Sequence, residues 1–90
     1  MQIHVTNLCL RIGISKSCGK CPIAIAMTLA GFRDVEVHSD AVRYRLADGT
    51  LTSFPLPVFA QHFVEHFDEA DSGEPFSFAG PDLPKYPKEP

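Results

Sequence analysis

The stretch that decides the fold is residues 34–54, which read DVEVHSDAVRYRLADGTLTSF. Val35 and Val37 alternate with a glutamate, and the next run alternates apolar residues with arginines in the same two-residue period. Such alternation indicates strands with one buried face and one exposed face. Asp48-Gly49 is a strong hairpin signal, and the polar dipeptide after the first run can form another tight turn. The stretch therefore predicts a three-stranded antiparallel meander.

Two helices are predicted, one on each side of this meander. Pro22 suits the first position of a helix, because the N–H that proline lacks would have been unpaired there, and Gly31 suits the cap at the other end. The residues between them are apolar almost all round, so we expect this helix to be largely buried. Beyond the meander, Phe59, Phe63 and Phe67 recur at every fourth residue. That spacing predicts an amphipathic helix with an aromatic stripe.

The remaining segments complete a single small domain. Residues 2–5 read as a short strand, residues 7–12 as one helical turn, and residues 75–78 as a last short strand. We therefore expect one α+β domain over residues 1–79, in which a small antiparallel sheet of three to four strands packs against two helices. Residues 80–90 are rich in proline and predict an extended tail without a core of its own.

Charge is unevenly distributed along the 90 residues, whose net charge is −3. Residues 1–50 carry six basic and four acidic side chains, whereas residues 51–90 carry two basic and seven acidic ones. Binding to a nucleic-acid backbone needs clustered Lys and Arg, so direct nucleic-acid binding is not expected, and an acidic surface suits a basic protein partner better. No apolar run approaches the roughly 20 residues that span a bilayer, and no signal-peptide pattern opens the chain. These features favour a cytoplasmic protein without a membrane partner.

Cys18 and Cys21 form a C-x-x-C motif at the predicted start of a helix. A helix N-terminus favours a thiolate, so the pair could be redox-active. It could also form half of a zinc site, which Cys9 and either His4 or His38 would have to complete. The third interpretation is that Cys9 and Cys21 are small buried residues and that Cys18 shapes the loop. We favour this third interpretation and leave the other two open.

His62, Glu65 and His66 match the H-x-x-E-H pattern of inverted zinc proteases. Such enzymes need a third protein ligand from another helix and a substrate cleft, which two short helices hardly supply. We interpret these residues as a solvated polar face, and we expect the histidines to lie opposite the phenylalanine stripe.

A run of carboxylates in the second helix and the loop after it is the other candidate site. Acidic residues near a helix C-terminus oppose the helix dipole, at a cost of a few tenths of a kcal/mol each. A local cost without a local gain is typical of functional residues. We therefore predict that the partner-binding residues are Glu65, Asp68, Glu69, Asp71 and Glu74.

Several motifs together resemble a group of small bacteriophage and prophage proteins. The residues that carry the resemblance are Cys18-x-x-Cys21-Pro22-Ile23-Ala24-Ile25-Ala26-Met27, Ala30-Gly31-Phe32, Leu56-Pro57, Phe67-Asp68, Gly73-Glu74 and Pro75-Phe76-Ser77-Phe78. The resemblance implies a phage accessory protein in a bacterial cytoplasm. Small acidic phage proteins of this length include anti-CRISPR proteins and other anti-defence inhibitors, which is an analogy of size, charge and origin.

Two hypotheses about function follow, and a structural or assembly role within a virion is left open as a third. In the first, the chain is a non-enzymatic phage accessory protein, without a cofactor, that binds a host protein or a CRISPR or other defence ribonucleoprotein complex through its acidic surface. In the second, it is a small zinc-binding or thiol-redox protein that uses Cys18 and Cys21.

Overall fold

A computed structural model gives the fold of residues 1–86, and these are the residues described below. They form three helices and two antiparallel sheets, which confirms the predicted α+β class. In chain order the elements are β1 (Gln2–Val5), α1 (Asn7–Ile12), α2 (Pro22–Leu29), β2 (Arg33–Val37), β3 (Ala41–Arg45), β4 (Leu51–Pro55), α3 (Val58–Ala70) and β5 (Phe76–Ala79).

The predicted meander is confirmed as the sheet β2-β3-β4. Its second hairpin turns at Asp48 and Gly49, where Gly49 adopts a φ of 91°, a value that glycine accepts at little cost. The Thr50 N–H donates to Asp48 Oδ1 over 2.9 Å. This bond, with a second one from the Thr50 hydroxyl, lowers the pKa of Asp48 below its ordinary value of 3.8.

The strands at the two ends of the chain form a sheet of their own. β1 pairs antiparallel with β5, with Ile3 opposite Phe78. The five strands therefore make two sheets, whereas the sequence suggested one sheet of three to four strands. Alternation of apolar and polar residues identifies a strand but does not identify its partner, which accounts for the difference.

Helix α2 lies at the centre of the core and contacts α1, β1 and β2. Ile23, Ala24 and Met27 have no exposed surface, as expected for a helix that is apolar almost all round. Burying a side chain of the size of isoleucine or methionine contributes about 1.5–3 kcal/mol. The helix is followed by Gly31 with a φ of 112°, which confirms the predicted cap.

The segment after β5 contains no helix or strand up to Tyr86, and it packs back onto the meander. The Tyr86 hydroxyl accepts from the Arg33 N–H over 3.1 Å and donates to the Arg45 carbonyl over 2.5 Å. It therefore bridges β2 and β3 beside Asp34, where a φ of 52° accompanies a shift in register. The Arg33 guanidinium also lies 4.4 Å from the centre of the Tyr86 ring. The end of the predicted tail, residues 87–90, lies outside the described residues.

No helix within residues 1–86 is both long enough and apolar enough to cross a membrane.

Candidate functional site

Helix α3 carries most of the predicted site. It begins after Pro57 and ends at Asp71, which adopts a left-handed conformation (φ 55°) and donates its N–H to the Phe67 carbonyl. Only Ala60 and Phe67 are buried along its length, because just one narrow face of the helix meets the core. Its exposed residues, which include His62, Glu65 and Glu69, are open to a ligand or partner.

Four of the five predicted carboxylates are exposed: Glu65 and Glu69 on α3, Asp71 at its end and Glu74 in the loop that follows. None of the four makes an ion pair or a side-chain hydrogen bond with any described residue. The sequence explains part of this, because it has no Lys or Arg between Arg45 and Lys85. We call these four residues the acidic face. They are a source of uncompensated negative charge.

Asp68, the fifth predicted carboxylate, has a different environment. It is half-buried, and its Oδ1 accepts a hydrogen bond from the Lys16 N–H over 2.8 Å. It also lines a cavity of about 310 Å³ between α3, Val37 of β2 and the loop that carries the C-x-x-C motif. Asp68 therefore has a local structural role, holding that loop against α3, that the acidic face lacks.

Cys18 and Cys21 both line this cavity but differ in exposure. Cys18 is exposed, and its carbonyl accepts from the Val37 N–H over 2.7 Å, so the loop covers the outer edge of β2. Cys21 is only 5% exposed, and burial raises the pKa of its thiol, with smaller contributions from the Asp68 and Cys18 charges. The N–H groups that begin α2 oppose this shift but do not outweigh it. The pKa of Cys21 thus moves in the direction opposite to that of an activated thiol.

The other residues considered as zinc ligands have different neighbours. Cys9 is buried, and its sulfur accepts from the Thr6 hydroxyl over 3.4 Å. His4 Nδ1 lies 2.8 Å from Ser77 Oγ, and His38 lies 3.7 Å from a carboxylate oxygen of Glu36. Within residues 1–86, no three His, Cys, Asp or Glu side chains are grouped so that they could hold a metal ion.

A second concave surface lies between α3 and the segment 73–76, and we call it the aromatic groove. It has a volume of about 510 Å³. The Phe76 ring lies between two rings of α3, with its centre 5.9 Å from that of Phe59 and 4.6 Å from that of Phe63. Phe59 is 53% exposed, so the groove presents aromatic surface to solvent. Its polar lining is His62, His66 and Glu74.

The expectation that His62 and His66 lie opposite the phenylalanine stripe is wrong, since both line the aromatic groove beside Phe59 and Phe63. Each histidine follows a phenylalanine by three residues, and residues three apart share a helix face. The stripe also drifts around the helix by about 40° per step of four residues. As a result Phe67 is 1% exposed while Phe59 remains open. The three-residue spacing from each phenylalanine to the next histidine was the sequence signal that could have predicted this placement.

No family model, curated protein or solved structure matches this chain. Its function is therefore proposed from its own residues and motifs, among which the acidic face and the aromatic groove are accessible to a partner.

Proposed function

We propose that this protein is a non-enzymatic binding protein that docks the acidic face of α3 onto a basic surface of a partner protein. The observation that carries the proposal is the set of four exposed carboxylates without a partner, Glu65, Glu69, Asp71 and Glu74. Glu65 and Glu69 lie four residues apart on α3 and repel each other, and the carboxylates at the end of the helix also oppose its dipole. A cationic surface placed against them would relieve both costs and would speed association.

The chemistry of the face indicates a class of partner. Proteins that bind nucleic acids carry clustered Lys and Arg to meet the phosphate backbone, and an acidic protein can occupy such a cluster. The resemblance to phage and prophage proteins supports a host complex of this type. We therefore propose that the protein is an inhibitor of the anti-CRISPR type, which binds a CRISPR or other defence ribonucleoprotein complex in the bacterial cytoplasm.

Charge reversal on the acidic face tests this function. The protein is used to capture complexes from bacterial lysate, and the complex identified is then purified and its affinity measured at two salt concentrations. The test variant is Glu65→Lys with Glu69→Lys. The matched control is Asp40→Lys with Asp82→Lys, which makes the same change in net charge at exposed residues outside the face.

We expect the test variant to lose at least tenfold in affinity, which corresponds to about 1.4 kcal/mol, while the control loses less than threefold. Circular dichroism should show that both variants remain folded. Equal losses of affinity in the two variants would mean that the change in net charge alone weakens binding, which would contradict a specific role of the acidic face. Unchanged binding of the test variant would refute the proposal.

A further inference from the structure

The aromatic groove combines three features: accessible ring surface, a close backbone wall and an unpaired carboxylate. The rings come from Phe59 and Phe63 on α3 and from Phe76 at the start of β5. The face of an aromatic ring carries partial negative charge and attracts cations. The ring surface alone is therefore a weak cation-binding surface.

Gly73 allows the wall of the groove to approach the rings. A Cβ atom at this position would lie 2.7 Å from Cε2 of Phe63, which is closer than a real contact. The φ of Gly73 is not positive, so the absence of a side chain serves close approach rather than an unusual backbone conformation. The segment 73–76 is thereby held directly against α3.

The next residue along this wall supplies the charge. Glu74 lines the groove, is exposed and has no partner within residues 1–86. A carboxylate beside aromatic faces matches a guanidinium, which stacks on rings through its plane and donates paired hydrogen bonds to a carboxylate. An ammonium would gain less, because it has no plane to stack.

We propose that the aromatic groove binds the side chain of an arginine of the partner protein. This inference rests on the proposed function, because the acidic face brings a basic surface against α3. The groove then supplies what the other residues of the acidic face lack, namely aromatic surface on which a guanidinium can stack. Buried aromatic and arginine contacts of this kind dominate the affinity of protein interfaces.

The proposal is tested by NMR titration of the isotope-labelled full chain at constant ionic strength. One probe is a glycine-serine peptide that contains a single arginine, and the matched probe replaces that arginine with citrulline, its neutral analogue. We expect the arginine peptide to shift the amide signals of Gly73, Glu74 and Phe76 with at least threefold higher affinity than the citrulline peptide.

Three variants refine the result. Glu74→Gln should lower affinity for the arginine peptide at least threefold, and Phe59→Ala at least twofold, without disturbing the core because Phe59 is 53% exposed. Asp40→Asn, which removes an exposed carboxylate outside both the groove and the acidic face, should leave the affinity unchanged.

Equal affinity for both peptides, or no shift with either, would overturn the proposal. Shifts confined to Glu65 and Glu69 would also overturn it, while leaving the proposed function intact. Failure of the proposed function can also be recognised separately, because the peptide titration does not use the partner protein whose binding tests that function.

Discussion

Replacement of Tyr86 by phenylalanine should destabilise the domain although the ring itself is retained. The hydroxyl accepts a hydrogen bond from the Arg33 N–H and donates one to the Arg45 carbonyl. It therefore takes the place of a direct backbone hydrogen bond between these two partner residues of β2 and β3. Each hydrogen bond contributes about 1 kcal/mol net, and the loss of both gives about 1–2 kcal/mol. For a domain of this size the melting temperature should fall by about 5–15 °C.

The assay is urea denaturation followed by circular dichroism, with Tyr44→Phe as the matched control. Tyr44 is 6% exposed, and its hydroxyl makes no hydrogen bond with the described residues. We expect the control to change the free energy of unfolding by less than about 0.5 kcal/mol. If Tyr86→Phe is as stable as the unmodified chain, the hydroxyl does not bridge the strands and the reasoning fails.

Two further predictions concern titratable groups. Cys18 is exposed, whereas burial raises the pKa of Cys21. Iodoacetamide at neutral pH should therefore alkylate Cys18 at least tenfold faster than Cys21, as measured by mass spectrometry. Comparable rates at the two cysteines would contradict the burial of Cys21. Hydrogen bonds lower the pKa of Asp48 in the folded state, so its ionisation stabilises the fold above pH 3.8, and this contribution disappears as the pH falls below that value. The stability of Asp48→Asn should therefore depend less on pH than that of the unmodified chain between about pH 5 and pH 3, and parallel pH profiles would argue against the bond.

Local patterns predicted the elements of this fold well. The strands of residues 34–54, the buried helix that begins at Pro22 and the amphipathic helix with its aromatic stripe are all present. Each depends on residues close in sequence, whose periodicity and turn chemistry act locally. The pairing of β1 with β5 joins segments that are more than 70 residues apart, as in the pair Ile3 and Phe78, and no local pattern specifies it.

The candidate site shows the same limit. The acidic residues were visible in the sequence, but their division into Asp68, bonded to Lys16, and an unpaired acidic face depends on a loop distant in sequence. The aromatic groove needs Phe76 placed against α3, which follows from the path of the chain after Gly73. The sequence favoured burial of Cys21 but left open a thiol activated by the start of α2, and burial has the larger effect on the pKa of Cys21.

The pairing of β1 with β5 has a consequence for synthesis on the ribosome. The meander joins neighbouring segments and can form while the domain is still being synthesised, whereas β1 is made before the meander and must wait for β5, which is made after it. Until then Ile3 and Val5, both buried in the finished domain, are exposed to chaperones and to other nascent chains. Contacts of such high sequence separation also slow folding, because the loop they close is long. We therefore expect this domain to acquire its final structure only after nearly all of it has left the exit tunnel.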